Sequence, residues 1–544
     1  MTSPIEHDRA APAPDAPPYR ADISRLTYLI ALLLLAAASV AVVCYATREG
    51  MGLSVDSDQY LQAARQIRAG RGVTLPTPDG GMRPLTHFPP LYPLVLAGTS
   101  RLGTELETAA RVVNVILLVG SVHLAGMIFR RGMGMTRRGS LVGVALLASA
   151  ADLVMCHTRV WSEGLFVFLL LAALALLGAF IERGRRAAVI GAGVVTALAV
   201  LTRYAGAGLV LAGVIALLVV ARHRSWRQRL VDVALFVAIS CLPAAAWVTR
   251  NVSQTGTAAN RAAAFHPPSR EALEEGLDAI GEWARPLPPE WLIVAALVVV
   301  AVISARNARR EGRPPRPAAL ATACFAAVYA LFLLASVTFA DAHTQLDARI
   351  LAPLHVAVTI GVVAELSRSS LPASAGRWAR AWPLALFVLA MILIAGRAGR
   401  AGVFAYQAPD EHLGLGVRHW RTSDVLGYVR RLPADALIYT NRRAVVQLHT
   451  GRLVRELPAQ VHAVTREPAD AADVQRRLAR IAHDLRARAG YVVWFSAVDA
   501  TRLVPEDQLR RDLDLQLVYA GRDGNVYQTR PAATGVDRDR ARQD

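Results

Sequence analysis

Lysine is absent from this chain, and all 60 of its basic residues are arginine. Against 42 acidic residues they leave a formal net charge of +18. An excess of that size can signal a nucleic-acid partner. Here much of it stands in short loops between apolar blocks, which points to membrane topology instead. Charge as a whole is scarce, at 19% of the 544 residues against about 25% in a soluble domain. Cysteine is scarcer still: Cys44, Cys156, Cys241 and Cys324 all lie in apolar blocks, without CxxC or metal-type spacing, and read as small packing residues. No internal repeat of solenoid or inverted-transporter type stands out.

What the chain has is apolar length. Hydrophobic residues make up 54% of it, and Leu26 to Ala46 contains no charge at all. At 1.5 Å per residue that run covers a hydrocarbon core of about 30 Å. A soluble globular enzyme, a fibrous protein and a largely disordered one are thereby excluded. The run exceeds the apolar region of a cleaved leader and is followed by further spans, so it reads as a signal anchor. About eleven spans are expected, near 26–46, 109–129, 140–156, 161–181, 187–203, 204–221, 230–249, 289–305, 317–339, 349–366 and 381–397.

Arginine placement orients them. The exits of spans two, four, six, eight and ten are short and basic, as in Arg130, Arg131, Arg137 and Arg138, or Arg183, Arg185 and Arg186. Those loops face the cytoplasm, and the N-terminus with them. The outer face then carries a first loop over 47–107, several shorter turns and the C-terminal region. The expected organisation is a disordered cytoplasmic tail over 1–25, a transmembrane domain over 26–400, an extracytoplasmic α/β domain over 405–530 and a disordered tail over 531–544.

The first outer loop is the most informative segment. From Ser57 onward Tyr60, Leu61, Ala64 and Ile67 share one helical face while Gln62, Arg65 and Arg68 lie elsewhere, an amphipathic pattern suited to the membrane surface. Asp56 is expected at its N-cap. Gly70 to Gly81 reads as a mobile Gly/Pro-rich stretch, and Pro89 and Pro90 open a second short helix. A carboxylate at the membrane boundary can take a proton from a hydroxyl or hold a metal ion. Asp56 and Asp58 both qualify, and spacing does not separate them.

An acidic motif D-x-x-x-Y-L-x-x-A-R after the first span, then H-F-P-P-L-Y-P, resembles the GT-C glycosyltransferases, and more closely the protein mannosyltransferase-like and aminoarabinose transferase-like membrane enzymes. W-S-E-G-L-F from Trp161, L-T-R-Y-A-G from Leu201 and D-A-R-I-L-A-P from Asp347 are similar to further motifs of that family. The resemblance implies an α-helical polytopic fold and transfer of a sugar from a polyprenyl-phosphate donor on the outer face. It implies a catalytic Asp four residues before an aromatic, which Tyr60 places at Asp56. The family often has Asp-Glu there, whereas this chain has Asp56-Ser57.

On that reading Asp56, Asp58 and Glu163 are the candidate catalytic acids, with Glu163 either facing Asp56 or paired with Arg159 one turn earlier. Arg203 and Arg349 interrupt apolar runs at one depth and suit a fork around the donor phosphate, though a boundary arginine also snorkels. Tyr60, His87, Pro89, Pro90, Tyr92 and Tyr204 complete the expected substrate contacts. His87, His266 and His343 leave a divalent metal open but unassigned. The acceptor is expected to be an envelope lipid, glycan or protein. No P-loop, dinucleotide fingerprint or GxSxG stands in a fitting context, which argues against a nucleotide-sugar donor.

The C-terminal region is more polar, with strands expected at 436–440, 491–495, 515–520 and 526–529 and a helical stripe of Val474, Leu478, Ile481, Ala482 and Leu485. Trp494 and Tyr491 read as core. Two other classes compete: a polytopic lipid or solute transporter, and a non-catalytic envelope scaffold. The spans show no buried acid–base pair or broken helix, which counts against transport.

Overall fold

The computed structural model describes residues 22–219, 221, 224–260, 265, 267–287, 316–339, 345–369, 376–461, 468–496 and 502–529. The expected span 289–305 and both expected disordered tails lie essentially outside them. Ser24 caps the first helix, α1 (Arg25–Ala46), by accepting from the Thr27 amide. The first outer segment forms α2 (Val55–Arg68), a hairpin of β1 (Thr74–Pro76) and β2 (Met82–Pro84), and α3 (Leu91–Ser100). The hairpin stands where a mobile stretch was expected. Gly80 takes the positive φ of +82° that its turn requires, and the Thr77 amide closes the turn on Gly81 O at 2.9 Å.

The bundle continues with α4 (Leu106–Met127), α5 (Arg137–Ala148), α6 (Ala151–Thr158), α7 (Glu163–Arg183), α8 (Arg186–Thr202), α9 (Ala207–Val219) and α10 (Trp226–Thr255). After α11 (Arg270–Gly281) come α12 (Pro317–Phe339), α13 (Ala348–Arg368) and α14 (Arg377–Gln407). Seven of the described helices are long and apolar enough to cross a membrane; α5 with α6 would add an eighth. Helices α8 and α9 are shorter than the roughly 20 residues a straight crossing needs. Small residues let the helices approach: a Cβ on Gly143 would stand 2.8 Å from the Phe129 ring, and one on Gly213 would stand 2.5 Å from Phe236.

Two features correct the expectation of unbroken, acid-free spans. Helices α5 and α6 meet at a 58° bend. Inside the bundle His355 Nδ1 lies 2.7 Å from Asp152 Oδ2, both side chains almost fully buried, with Trp283 stacked on the imidazole. Arg397 donates to Leu146 O at 2.8 Å, occupying a carbonyl that the break frees. The two halves of the pair are 203 positions apart in sequence, so no periodicity signals it.

The C-terminal region holds α15 (Asp424–Arg431), β3 (Ile438–Thr440), α16 (Arg443–Thr450), β4 (Arg455–Glu456), α17 (Ala471–Arg488), β5 (Tyr491–Phe495), α18 (Glu506–Asp512), β6 (Leu515–Ala520) and β7 (Gly524–Thr529). The sheet order is β4-β3-β5-β7-β6, with β3 parallel to β4 and β5 and the last three strands antiparallel. All five residues of the expected stripe on α17 are buried, as is Trp494. The sheet region sits at the end of the bundle where α1 finishes and α7 begins. Residues after α1 run between both: the Gly52 amide bonds Thr158 O at 2.9 Å, and the Leu53 amide bonds Leu413 O at 3.0 Å. Arg421 Nη2 bonds Glu107 Oε1 at 2.7 Å, and Arg455 bridges Asp79 of the hairpin turn.

Buried Asn441 fastens the sheet. Its amide donates to Phe495 O and its carbonyl accepts from the Phe495 amide, both at 2.9 Å. Asn441→Ala leaves two buried backbone groups unpaired, at about 1–3 kcal/mol each. The expected outcome is faster limited proteolysis of the C-terminal region with the bundle intact; wild-type resistance would count against this seam.

Candidate active site

The site is built around the start of α2. Ser54 caps the helix: its hydroxyl accepts from the Ser57 amide at 3.3 Å, and Ser57 Oγ accepts from the Ser54 amide at 2.9 Å. The expected cap, Asp56, is therefore displaced into the first turn, because the serine pair satisfies the free amides two residues earlier. Ser57 also donates to Val160 O at 2.9 Å, which ties α2 to the turn before α7. Trp161 Nε1 donates to Ser54 Oγ at 2.9 Å. The Trp161 ring is flanked by the Arg159 and Arg349 guanidiniums, 4.4 and 4.3 Å from its centroid.

Two residues along a helix means about 200° of rotation, so Asp56 and Asp58 face different ways. Asp56 is partly open, and its Oδ2 accepts from Arg349 Nη2 at 2.5 Å. Asp58 is 2% exposed on the side toward α16, where Gln62 Nε2 donates to it at 2.6 Å and also reaches Gln447 Oε1 at 3.3 Å. Burial pushes the Asp58 carboxyl up from its ordinary value, against the Gln62 hydrogen bond and the charges of Arg443 and Arg65. The two candidates thus face different surroundings, and of the two Asp56 is the one in contact with Arg349.

Glu163 opens α7 and is 1% exposed. Its Oε1 bonds both Arg203 Nη1 and Arg349 Nε. The local pairing with Arg159 does not form; Arg159 Nη2 donates instead to His412 O at 2.6 Å. Arg203 stands between α8 and α9, in a turn whose tightness depends on Gly206. A Cβ there would lie 2.6 Å from the Val200 amide nitrogen and 2.7 Å from Ala199 C. Arg349 stands in the first turn of α13, where Asp347 is the N-cap and accepts from the Ile350 amide at 2.9 Å.

These groups border a cavity of about 300 Å³. Asp56, Tyr60, His87, Pro89, Arg203, Tyr204 and Arg349 are in its wall, with Phe88, Thr202, Tyr329, Phe332, Leu333, Ser336, Gln345 and Asp347. Glu163 is behind the wall, holding the two guanidiniums rather than facing Asp56 across it. Tyr92 and Pro90 are also behind it: Tyr92 is fully buried edge-on to Tyr60, with ring centroids 5.1 Å apart. Tyr60 OH lies 3.1 Å from Ser162 Oγ, and burial with the nearby Asp56 carboxylate raises its phenol above the ordinary range. Tyr204 OH donates to Thr86 O at 2.9 Å and accepts from Trp247 Nε1 at 3.2 Å. Burial also raises the Asp347 carboxyl.

The wall of α12, Tyr329 to Ser336, was not anticipated, because its apolar sequence carries no motif. His266 and His343 lie outside the described residues. Among the described residues no three His, Cys, Asp or Glu side chains cluster as metal ligands would.

Two variants test this framework. Glu163→Gln removes the charge that two buried guanidiniums share, and breaking a buried ion pair costs about 3–5 kcal/mol; the melting midpoint in detergent should fall clearly, and an unchanged midpoint would contradict the arrangement. Gly206→Ala forces the turn off α8, an overpacking cost of about 1–3 kcal/mol. It should lower both stability and donor binding through the displaced Arg203, whereas unaltered binding would separate that turn from the site.

The family model described as dolichyl-phosphate-mannose-protein mannosyltransferase matches residues 87–247. A search of curated proteins finds no match. Among solved structures, ArnT from Cupriavidus metallidurans bound to undecaprenyl phosphate superposes with a TM-score of 0.60 at 15% identity, covering 94% of this chain and all of that one. An oligosaccharyltransferase of Archaeoglobus fulgidus tethered to an acceptor peptide gives 0.56 at 12% identity, over 87% of this chain and 69% of that one. The arabinofuranosyltransferase AftD from Mycobacteria gives 0.53 at 15% identity, over 94% and 40%. The chain has the polytopic α-helical fold of the GT-C glycosyltransferases, with a small α/β region near its C-terminus.

Proposed function

We propose that the chain is a glycosyltransferase of the bacterial cytoplasmic (inner) membrane. It takes a sugar from a polyprenyl-phosphate donor and passes it, with inversion, to a hydroxyl of an envelope lipid, glycan or protein on the outer face. The observation that carries this reading is the convergence of Asp56, Arg203 and Arg349 on one cavity at the end of the bundle opposite the arginine-rich turns. The undecaprenyl phosphate bound to the structurally similar ArnT supports a lipid-phosphate donor.

The electrostatics suit the reaction. Asp56 and Glu163 cancel Arg203 and Arg349 in formal charge. A guanidinium carries five N–H donors. Arg203 engages Ser162 and Glu163 through Nη1 alone among the described residues, leaving donors for a phosphate. The prenyl chain lies against Phe332 and Leu333 of α12. The acceptor oxygen attacks the anomeric carbon and gives its proton to Asp56, the carbon–oxygen bond to phosphate breaks, and its electron pair leaves on the lipid phosphate. Negative charge thus moves from Asp56 to the phosphate, and Arg349 follows it from one to the other. A single displacement inverts the anomeric configuration. Glu163 keeps both arginines aimed without touching substrate.

Asp56→Asn should reduce transfer by about 10²–10⁴ while the protein still folds, whereas Asp58→Asn, on the other side of α2, should retain it. The measurement is release of lipid phosphate from a sugar-labelled polyprenyl-phosphate donor. Near wild-type turnover by Asp56→Asn would refute the base. A wild-type protein that moves the donor intact would be a transporter, a reading the Asp152–His355 pair and the α5–α6 break keep in play.

A further inference from the structure

The far side of α2 faces a second cavity, of about 280 Å³, enclosed by α2, the hairpin turn and the end of α16. It is near the small end of ligand-pocket sizes, about 300–1,000 Å³. Its wall is cationic and rich in amides: Arg65, Arg71 and Arg452, with Gln62, Gln66 and Gln447. Among the described residues none of the three arginines forms an ion pair with a carboxylate; Arg65 feels the charges of Asp58 and Glu105 without direct contact, and Arg71 and Arg452 have no acid against them. Among the described residues Arg71 Nη1 donates only to the Gln66 side chain, at 3.3 Å. Arg452 Nη1 donates to Pro433 O at 2.6 Å, and its Nη2 donates to main-chain carbonyls of the same segment. It is held in place by neutral groups with its charge uncancelled. The nearby acid, Asp58, lies beneath Gln62 and is 2% exposed. At other points where the C-terminal region meets the first outer segment the arginines are paired, Arg421 with Glu107 and Arg455 with Asp79.

A concave site with uncompensated arginines selects an anion. Glutamine amides, which donate and accept at once, match neighbouring hydroxyl groups. Both requirements together describe a sugar bearing a phosphate or carboxylate. We infer that this cavity is a second binding site, specific for an anionic saccharide. Resting on the transferase reading, it holds a remote part of the acceptor, one helix thickness (about 10 Å) from Asp56, where binding energy is gained away from the reacting atoms.

The test uses the full-length protein in detergent micelles and glucose 1-phosphate as probe, read by equilibrium dialysis at low salt. The expected result is saturable binding of one equivalent, weakened by about ten-fold or more in Arg65→Gln/Arg71→Gln, which loses two charged donors to the anion. The melting midpoint should stay unchanged, and glucose should compete poorly. Identical binding by the double variant overturns the inference, as does glucose or inorganic phosphate binding that site as tightly as the probe. Nanodiscs separate the two sources of such a ligand. Probe displaced by phosphatidylglycerol assigns the site to a lipid phosphate and overturns the saccharide assignment, whereas undiminished binding supports a saccharide arriving from water. Asp56→Asn should keep this equivalent, so failure of the transferase reading and failure of this site are read independently.

Discussion

A carboxylate buried at the head of an apolar helix is the constraint on which this molecule turns. Glu163 begins α7 at 1% exposure, where an unpaired charge is untenable. It is compensated by two guanidiniums, from the turn after α8 and from the start of α13. Three helix ends are thereby drawn to one point. Burial of the pairs is a weak source of net stability, because desolvation offsets much of the attraction. What it secures is position: two arginines fixed side by side, each with hydrogen-bond donors to spare.

The first outer segment adds the remaining acid by way of hydrogen bonds rather than charge. Ser54 and Ser57 cap α2 and bind it to Trp161 and Val160, and Trp161 in turn packs on Arg349. Cap, indole and guanidinium form a continuous chain of contacts, so the orientation of α2 and the placement of Arg349 are set together. The helix is also a divider. Its pitch sends Asp56 to the cavity that holds Arg203 and Arg349, and Gln62 and Arg65 to the second cavity, with Asp58 beneath Gln62. Docking of the C-terminal region onto the same segment, through main-chain bonds at Leu53 and the Arg421–Glu107 pair, supplies one wall of the second cavity, whereas the first is bordered by α12 and the start of α13.

Much of this was legible in the sequence, for a definite reason. Apolar runs have one low-energy solution in a membrane, the helix, so ten of the expected spans fall on described helical segments and the remaining one falls outside the described residues. Of those segments seven, or eight with α5 and α6 taken together, are long and apolar enough to cross. A short continuous apolar run and a 3.6-residue stripe likewise marked β5 and α17, the first buried nearly throughout and the second along one face. The motif residues Asp56, Arg203 and Arg349 do meet, and their meeting gives the motifs a shared physical purpose.

Other features belonged to the tertiary structure alone. Sequence spacing left Asp56 and Asp58 equivalent and put the helix cap at the wrong residue, because capping depends on which hydroxyl reaches a free amide. It offered Glu163 a neighbour in Arg159, whereas the folded chain supplies stronger partners 40 and 186 positions away. The Asp152–His355 pair, the α5–α6 bend and the α12 wall of the cavity are likewise products of long-range packing. Local sequence determines which segments become helices and strands, since hydrophobic periodicity and hydrogen bonding act over a few residues. Which charges face one another is decided only when those helices pack, since in a low-dielectric interior each buried charge takes its partner from whatever segment the fold brings within reach.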